Sequence, residues 1–249
     1  MAHVSDDVTD DDYGNQPADD PGRRPAPRKK RSFWKELPIL IVVALLLTFV
    51  IQQFIARPYM IPSGSMEQTL HGCTGCTPDR VLVDKMVYRF GDPEPGEVVV
   101  FRGPDSWLEG TQTSDSENIF AGFVQYVGSL VGLAPPDERD FVKRIIALGG
   151  QTVRCCDKNN RVVVDGESLD EPYTYYPPGT PKEQRSFEPF TVPEGMMWVM
   201  GDNRNNSSDS RVQGPVPVEN IIGKARVIVL PPSRWDVISD HNPQQEASG

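Results

Sequence analysis

Hydrophobic and polar positions along the chain fall into three regimes. Residues 1–36 carry eight acidic and seven basic side chains and almost nothing apolar. Such a segment buries too little to offset the entropy of ordering it, so a disordered arm is expected. From Leu37 to Ile55 nineteen residues run without a charge, fourteen of them Leu, Ile, Val or Phe. As a helix at ~1.5 Å per residue this stretch reaches ~28 Å, close to the ~30 Å hydrocarbon thickness of a bilayer, and it is predicted to span one. Beyond it the apolar residues come in short runs bounded by turn formers: Val81 to Val87, Glu97 to Phe101, Phe141 to Leu148, Val162 to Val164, Met197 to Met200 and Lys224 to Leu230. Their enrichment in Val, Ile, Phe and Tyr, with KNNR and DG steps between runs, predicts a mainly β, antiparallel-sheet domain over 56–235 and a flexible tail over 236–249.

A removable leader would have an apolar core of ~7 to 15 residues and a small-x-small cleavage site behind it. Here IARPYMIP follows the span, so a retained anchor is expected over 37–55. Seven bases precede the span and only Arg57 lies close behind it. The positive-inside rule then leaves the arm cytoplasmic and residues 57–249 outside, as a single-pass protein of the cell membrane. An insertion over 103–139 interrupts the β pattern. Its apolar centre, Ile119 to Leu133, reaches only ~22 Å as a helix, too short to cross. A core helix and a segment resting on the outer membrane surface both fit, and the stretch around Trp107 is a further candidate for that contact.

Composition narrows the classes. With Lys+Arg 25 against Asp+Glu 35 the formal net charge is −10, which argues against a nucleic-acid partner. The 24 prolines and 21 glycines argue against a helical bundle or a doubly wound fold. Four cysteines form two pairs, Cys73 and Cys76 in HGCTGC and the adjacent Cys155 and Cys156. With His71 beside them a tetrahedral zinc site is one reading; outside the cytoplasm thiols oxidise, and two disulfides are preferred. Local and crossed pairing both remain open.

An anchored β domain could be a sensor, an adhesive module or an enzyme, and the ionisable inventory decides what chemistry is within reach. Of three histidines, His3 lies in the arm and His241 in the tail, which leaves His71, only six residues after Ser65 and a poor base for it. No HExxH, GxSxG or Gly-rich phosphate loop occurs; Ser32-x-x-Lys35 lies before the span and is read as chance. What remains is Pro62-Ser63-Gly64-Ser65-Met66 just after the anchor, and a lysine inside an apolar strand, DFVKRIIALGG. Alternation puts Phe141, Lys143 and Ile145 on one face of that strand and Val142, Arg144 and Ile146 on the other. Lys143 either snorkels to water or is desolvated, in which case its pKa falls from ~10.4 and a neutral amine becomes available as a base.

These segments resemble the bacterial type I signal peptidases, in particular actinobacterial ones. The resemblance rests on four ordered boxes behind an anchor: PSGSMEQTL (Pro62 to Leu70), the following strands RVLVDKMVYRF and GEVVVFRGP taken together, DFVKRIIALGG, and MGDNRNNSSDSR (Met200 to Arg211). It implies a membrane-anchored Ser-Lys endopeptidase that needs no metal or organic cofactor and removes signal peptides from preproteins at the membrane surface, cutting after small-x-small. Ser65 then matches the nucleophile and Lys143 the general base; Ser63 matches the second oxyanion donor and Ser207 the serine that orients the lysine. Asp209, Arg211 and Arg144 match charges that hold the last box to the lysine strand. Tyr59, Ile61, Pro62 and Phe141 match positions lining the small pockets. Asn205 stands where many members have Asp, which puts one local pairing in question. A Ser-Lys protease with another target and a silent anchored β module are the alternatives.

Overall fold

The computed structural model describes residues 33–73, 75–108 and 139–245. The expectations for the arm up to residue 32 and for Ile119 to Leu133 lie outside these residues. The chain divides into two compact units, 1–42 and 43–249. Helix α1 (Phe33–Val50) continues as a π turn over Ile51–Ile55. Among the described residues Glu36–Ile55 is the one helix long and apolar enough to cross a membrane. Its apolar side chains are exposed all round, Ile39 at 64% and Leu46 at 58%, where an amphipathic helix on a water-soluble core would hide one stripe.

The described residues of the second unit hold twelve strands. β1 (Ala56–Met60), β2 (Arg80–Asp84), β3 (Val98–Arg102), β4 (Asp140–Leu148), β9 (Met196–Met200), β10 (Val216–Pro217) and β11 (Ile221–Leu230) form one sheet in the order β1-β2-β11-β3-β4-β9-β10, with β12 (Asp236–Val237) on β11. β5 (Thr152–Cys155), β6 (Val162–Val164), β7 (Glu167–Ser168) and β8 (Phe187–Thr191) form a second in the order β7-β6-β5-β8. The strand pairs are antiparallel, as the alternating runs predict.

The unbroken run VVVF in β3 follows from burial on both sides. Val98 and Val100 enter a core with Tyr59, Met66, Leu70 and Val142, while Val99 and Phe101 enter another with Trp107, Ile145 and Val216. A strand with period two covered on both faces has no polar side to show. Each such side chain contributes about 1.5–3 kcal/mol, which is why β3 and its neighbour β4 form the rigid centre. The predicted turns occur: Asp165 and Gly166 between β6 and β7 have φ of 51° and 91°, the left-handed pair of a type I′ hairpin.

Three expectations are corrected. The run expected to reach Val87 ends at Asp84, because the Asp84 carboxylate accepts the N–H groups of Met86 and Val87 at 2.9 and 3.3 Å and turns the chain. Trp107 is buried, edge-on to Phe101 and Phe141 at 5.5 and 5.3 Å, so it is a core residue and not a membrane contact. Residues 236–245, expected to be a flexible tail, are packed: Ile238 joins the core, Asp240 pairs with Lys224 at 2.7 Å, and the Gln244 amide donates to Ile146 O at 2.9 Å. Two adjacent apolar residues, Val237 and Ile238, among polar ones give no periodicity from which to foresee this. Both disulfides are local, Cys73–Cys76 and Cys155–Cys156.

Truncating Ile238 to Ala should destabilise the chain by about 2–4 kcal/mol, read as a lowered urea midpoint in detergent; a shift below 0.5 kcal/mol would show that the closing segment carries no stability (~2–5 kcal/mol is usual for a buried Ile).

Candidate active site

Ser65 sits in a 3₁₀ turn, Gly64–Met66, that leaves the extended segment ending at Ser63. Apolar burial fixes this turn: Met66 and Leu70 are fully buried, and Leu70 N–H donates to Met66 O at 2.8 Å. Ser65 follows at 8% exposure. Behind it, a Cβ on Gly72 would lie 2.5 Å from Ser63 O and 2.7 Å from Ser63 N, so only glycine lets the cysteine loop back the Ser63 strand this closely. From the other side the Asn203 side-chain amide donates to Gly64 O at 2.9 Å and its backbone N–H to Ser65 O at 3.1 Å. Gly201 leaves the room for this approach: a Cβ there would stand 2.5 Å from Ser65 O and collide with the Ser207 hydroxyl.

Lys143 lies in β4 opposite Val99 of β3. Its Nζ is 2.8 Å from Ser65 Oγ and 3.0 Å from Val142 O, and the residue is 4% exposed. Desolvation by burial lowers its pKa from 10.5 to about 8, against the pull of Asp209 and Asp202 and with help from Arg211. The Ser63 hydroxyl donates to Ser65 Oγ at 3.3 Å. The two hydroxyls and the amine, with Ser65 and Lys143 78 residues apart in sequence, therefore form one hydrogen-bonded group.

The last box is tied in by charge, through a carboxylate outside the expected set. Arg144 makes a two-pronged contact to Asp202 at 2.9 and 2.8 Å, donates to Gly96 O and Ser239 O, and lies 3.9 Å over the Tyr173 ring. Asp202 also accepts the Thr69 hydroxyl at 2.5 Å, joining the Ser65 segment to the same carboxylate. Asp202 is absent from the sequence-derived set, although a fully buried arginine in an apolar strand demands a carboxylate and Asp202 lies in the matched box. Asp209 and Arg211 pair with each other at 2.8 and 2.7 Å, and Asp209 accepts Gly201 N–H at 3.0 Å. Burial pushes the Asp209 carboxyl up, but the Arg211 guanidinium and these hydrogen bonds hold it below the usual range. Ser207, expected to orient the lysine, has a buried hydroxyl without a hydrogen bond to Lys143; it stands beside Gly201 instead. Asn205 donates to Pro181 O and Glu183 O at 2.9 and 3.2 Å, so the position lacking the expected acid fastens a loop.

Tyr59 and Ile61 are buried beside Met66 and Val142, while Pro62 is exposed. Phe141 stacks on Phe101 at 6.0 Å, on the face of β4 that alternation gives to Lys143. His71 Nδ1 is engaged with the Glu67 carboxylate, away from the Ser65 hydroxyl, and the cysteine sulfurs are bonded to each other.

Residues 34–230 match the protein family described as "Signal peptidase, peptidase S26". The chain is 50% identical over 241 residues to signal peptidase I of Mycobacterium tuberculosis (strain ATCC 25618 / H37Rv), covering 89% of this chain and 80% of that one. It is 47% identical over 245 residues to the probable signal peptidase I of Mycobacterium leprae (strain TN), covering 88% and 83%. A crystal structure of a signal peptidase I from Enterococcus faecalis V583 aligns with a TM-score of 0.36 at 23% identity, over 54% of this chain and 97% of that one.

A lysine held at about 8 instead of 10.5 binds fewer protons folded than unfolded between those values, so stability should rise as pH climbs from 8 to 10.5 and be lowest below 8. At 1.36 kcal/mol per unit the buried charge costs about 3 kcal/mol at pH 7. Lys143→Met should therefore stabilise the chain at pH 7 by about 2–3 kcal/mol in denaturant titrations, with the gain shrinking from pH ~8 and gone by pH ~10.5; a destabilised variant at pH 7 would contradict a desolvated amine.

Proposed function

The chain belongs to the signal peptidases of family S26 and removes signal peptides from preproteins, and we propose that it does so as a serine endopeptidase in which Ser65 is the nucleophile and Lys143 the general base. One contact carries this: a buried amine 2.8 Å from a serine hydroxyl. With a pKa of about 8, about a tenth of the Lys143 amines are neutral at pH 7, roughly 300 times the share of an ordinary lysine. A neutral Nζ accepts the hydroxyl proton, and Ser65 Oγ attacks the scissile carbonyl carbon. The carbonyl oxygen becomes an oxyanion facing the Ser65 N–H, which opens a 3₁₀ turn and has no partner within it, and the Ser63 hydroxyl. The C–N bond then breaks, the lysine ammonium gives its proton to the leaving amine, and the Lys143 amine, neutral again, takes a proton from water, whose oxygen attacks the acyl carbon while that proton returns to Ser65 Oγ as the ester bond breaks.

Asp202, Arg144, Asp209 and Arg211 act as positioning residues in this scheme. Tyr59, Ile61, Pro62 and Phe141 shape the pockets for the small residues before the cut. The protein is membrane-anchored, and we infer an N-terminus in the cytoplasm from the seven bases before the span against Arg57 behind it. Ser65 follows Ile55 by ten residues, hence at most ~35 Å of extended chain. A signal peptide's own apolar stretch delivers its cleavage site to the same plane, so tethering raises the effective concentration of the bond.

Ser65→Ala and Lys143→Ala should each abolish processing of a small-x-small preprotein by the full chain in detergent, and full turnover in either variant would overturn the dyad. Because the neutral amine is the active form, kcat/KM should climb about tenfold per pH unit below about 8 and level off above it; a profile flat from pH 6 to 10 would contradict the base. Ser63→Ala should lower kcat by ~10²-fold with little change in KM, the range seen when an oxyanion donor is removed.

A further inference from the structure

A cavity of about 600 Å³ opens beside the Ser63–Gly64 backbone, bounded on its other sides by Glu67, Cys73, Tyr175, Asn203 and Asn206. That volume is in the range of ligand sites (~300–1,000 Å³). Of the four residues that take the acyl side of the substrate, Tyr59, Ile61 and Phe141 do not line it, and Pro62, next to Ser63, borders it. A peptide whose carbonyl lies at Ser65 Oγ has its acyl half against Tyr59 and Ile61, before Ser63 along the chain. Its leaving half must continue past the other side of the Ser63–Gly64 segment, where this cavity lies. The lining suits a peptide backbone. Asn203 is 2% exposed; its side-chain N–H is spent on Gly64 O, and its Oδ1 is buried with no donor among the described residues. Such an acceptor calls for an N–H. Glu67 is the only charged side chain among the lining residues. Its carboxylate is engaged by His71, which is itself 36% exposed and not among the lining residues.

We propose that this cavity is the binding site for the first residues of the mature protein, those that follow the scissile bond, and that Glu67 makes it select cationic over anionic side chains there. This rests on the assignment of Ser65 as nucleophile. It places a second selectivity filter, acting through charge, next to the apolar one that reads the signal peptide. The cysteine loop is its wall: Gly72 abuts Ser63 and Cys73 lines the cavity.

The full chain in detergent is assayed at pH 8 on preproteins that differ only at the first and second residues after the cut, Lys, Ala or Glu, and separately at the last residue before it, Ala or Gly. The expected kcat/KM ratio of Lys over Glu is two- to fivefold for wild type, the size of a partly exposed charge pair. It should fall to near one in Glu67→Gln and rise further in Asn206→Asp, while the Ala/Gly ratio before the cut stays as in wild type. A Lys/Glu ratio unchanged by both substitutions, or an effect confined to the residue before the cut, would overturn the proposal. Cleavage by Ser65→Ala would instead overturn the nucleophile on which it rests, so the two failures are told apart.

Discussion

An amine taken out of water and set against a hydroxyl is the constraint on which the rest depends. Burial opposes the charged form of Lys143, and two carboxylates nearby, Asp209 and Asp202, oppose burial's effect. Desolvation wins because neither carboxylate is free: Arg211 clasps one and Arg144 the other, both in two-pronged contacts. Each pair is close to neutral, and the field that would keep a proton on Nζ is largely cancelled. Removing either guanidinium would leave a bare buried carboxylate pulling on the lysine, so residues that never touch the hydroxyl set the protonation state of the amine that does.

The cost of that arrangement is met by packing. β4 lies between β3 and β9 in the middle of the large sheet, and β3 is buried on both faces. The Ser65 turn hangs on the same apolar cluster through Met66 and Leu70. Hydroxyl and amine are thus carried by two walls of one core, and Asp202 stitches those walls together through Thr69 and Arg144. The closing segment adds a further tie, since Ser239 O accepts from the same Arg144.

Much of this was legible in the residues. Uncharged length gave the anchoring helix, period two gave the sheet, and DG gave its tight turn. The pair Ser65 and Lys143 followed from elimination and from ordered boxes. Illegible were the contacts that depend on three-dimensional register: Asp202 as the partner of Arg144, the close approach of Ser65 and Ser207 to Gly201, and the anchoring of the last residues by Ile238. None of these leaves a periodic signature, because each is a single side chain meeting an element far away in sequence. Short strands such as β7, β10 and β12 were missed for a related reason. Two residues cannot alternate enough to announce themselves, and tertiary pairing alone makes them strands.

The neighbouring positions 143 and 144 show what a pleat can do with two cations. Successive side chains of a strand leave on opposite sides, so a lysine able to shed its proton and an arginine unable to do so are kept in separate compartments one residue apart. The guanidinium stays ionised throughout the range in which the amine gives up its proton. Its grip on Asp202 is therefore constant while the other side of the sheet titrates, and in alkaline medium the framework holds its shape as the amine becomes neutral.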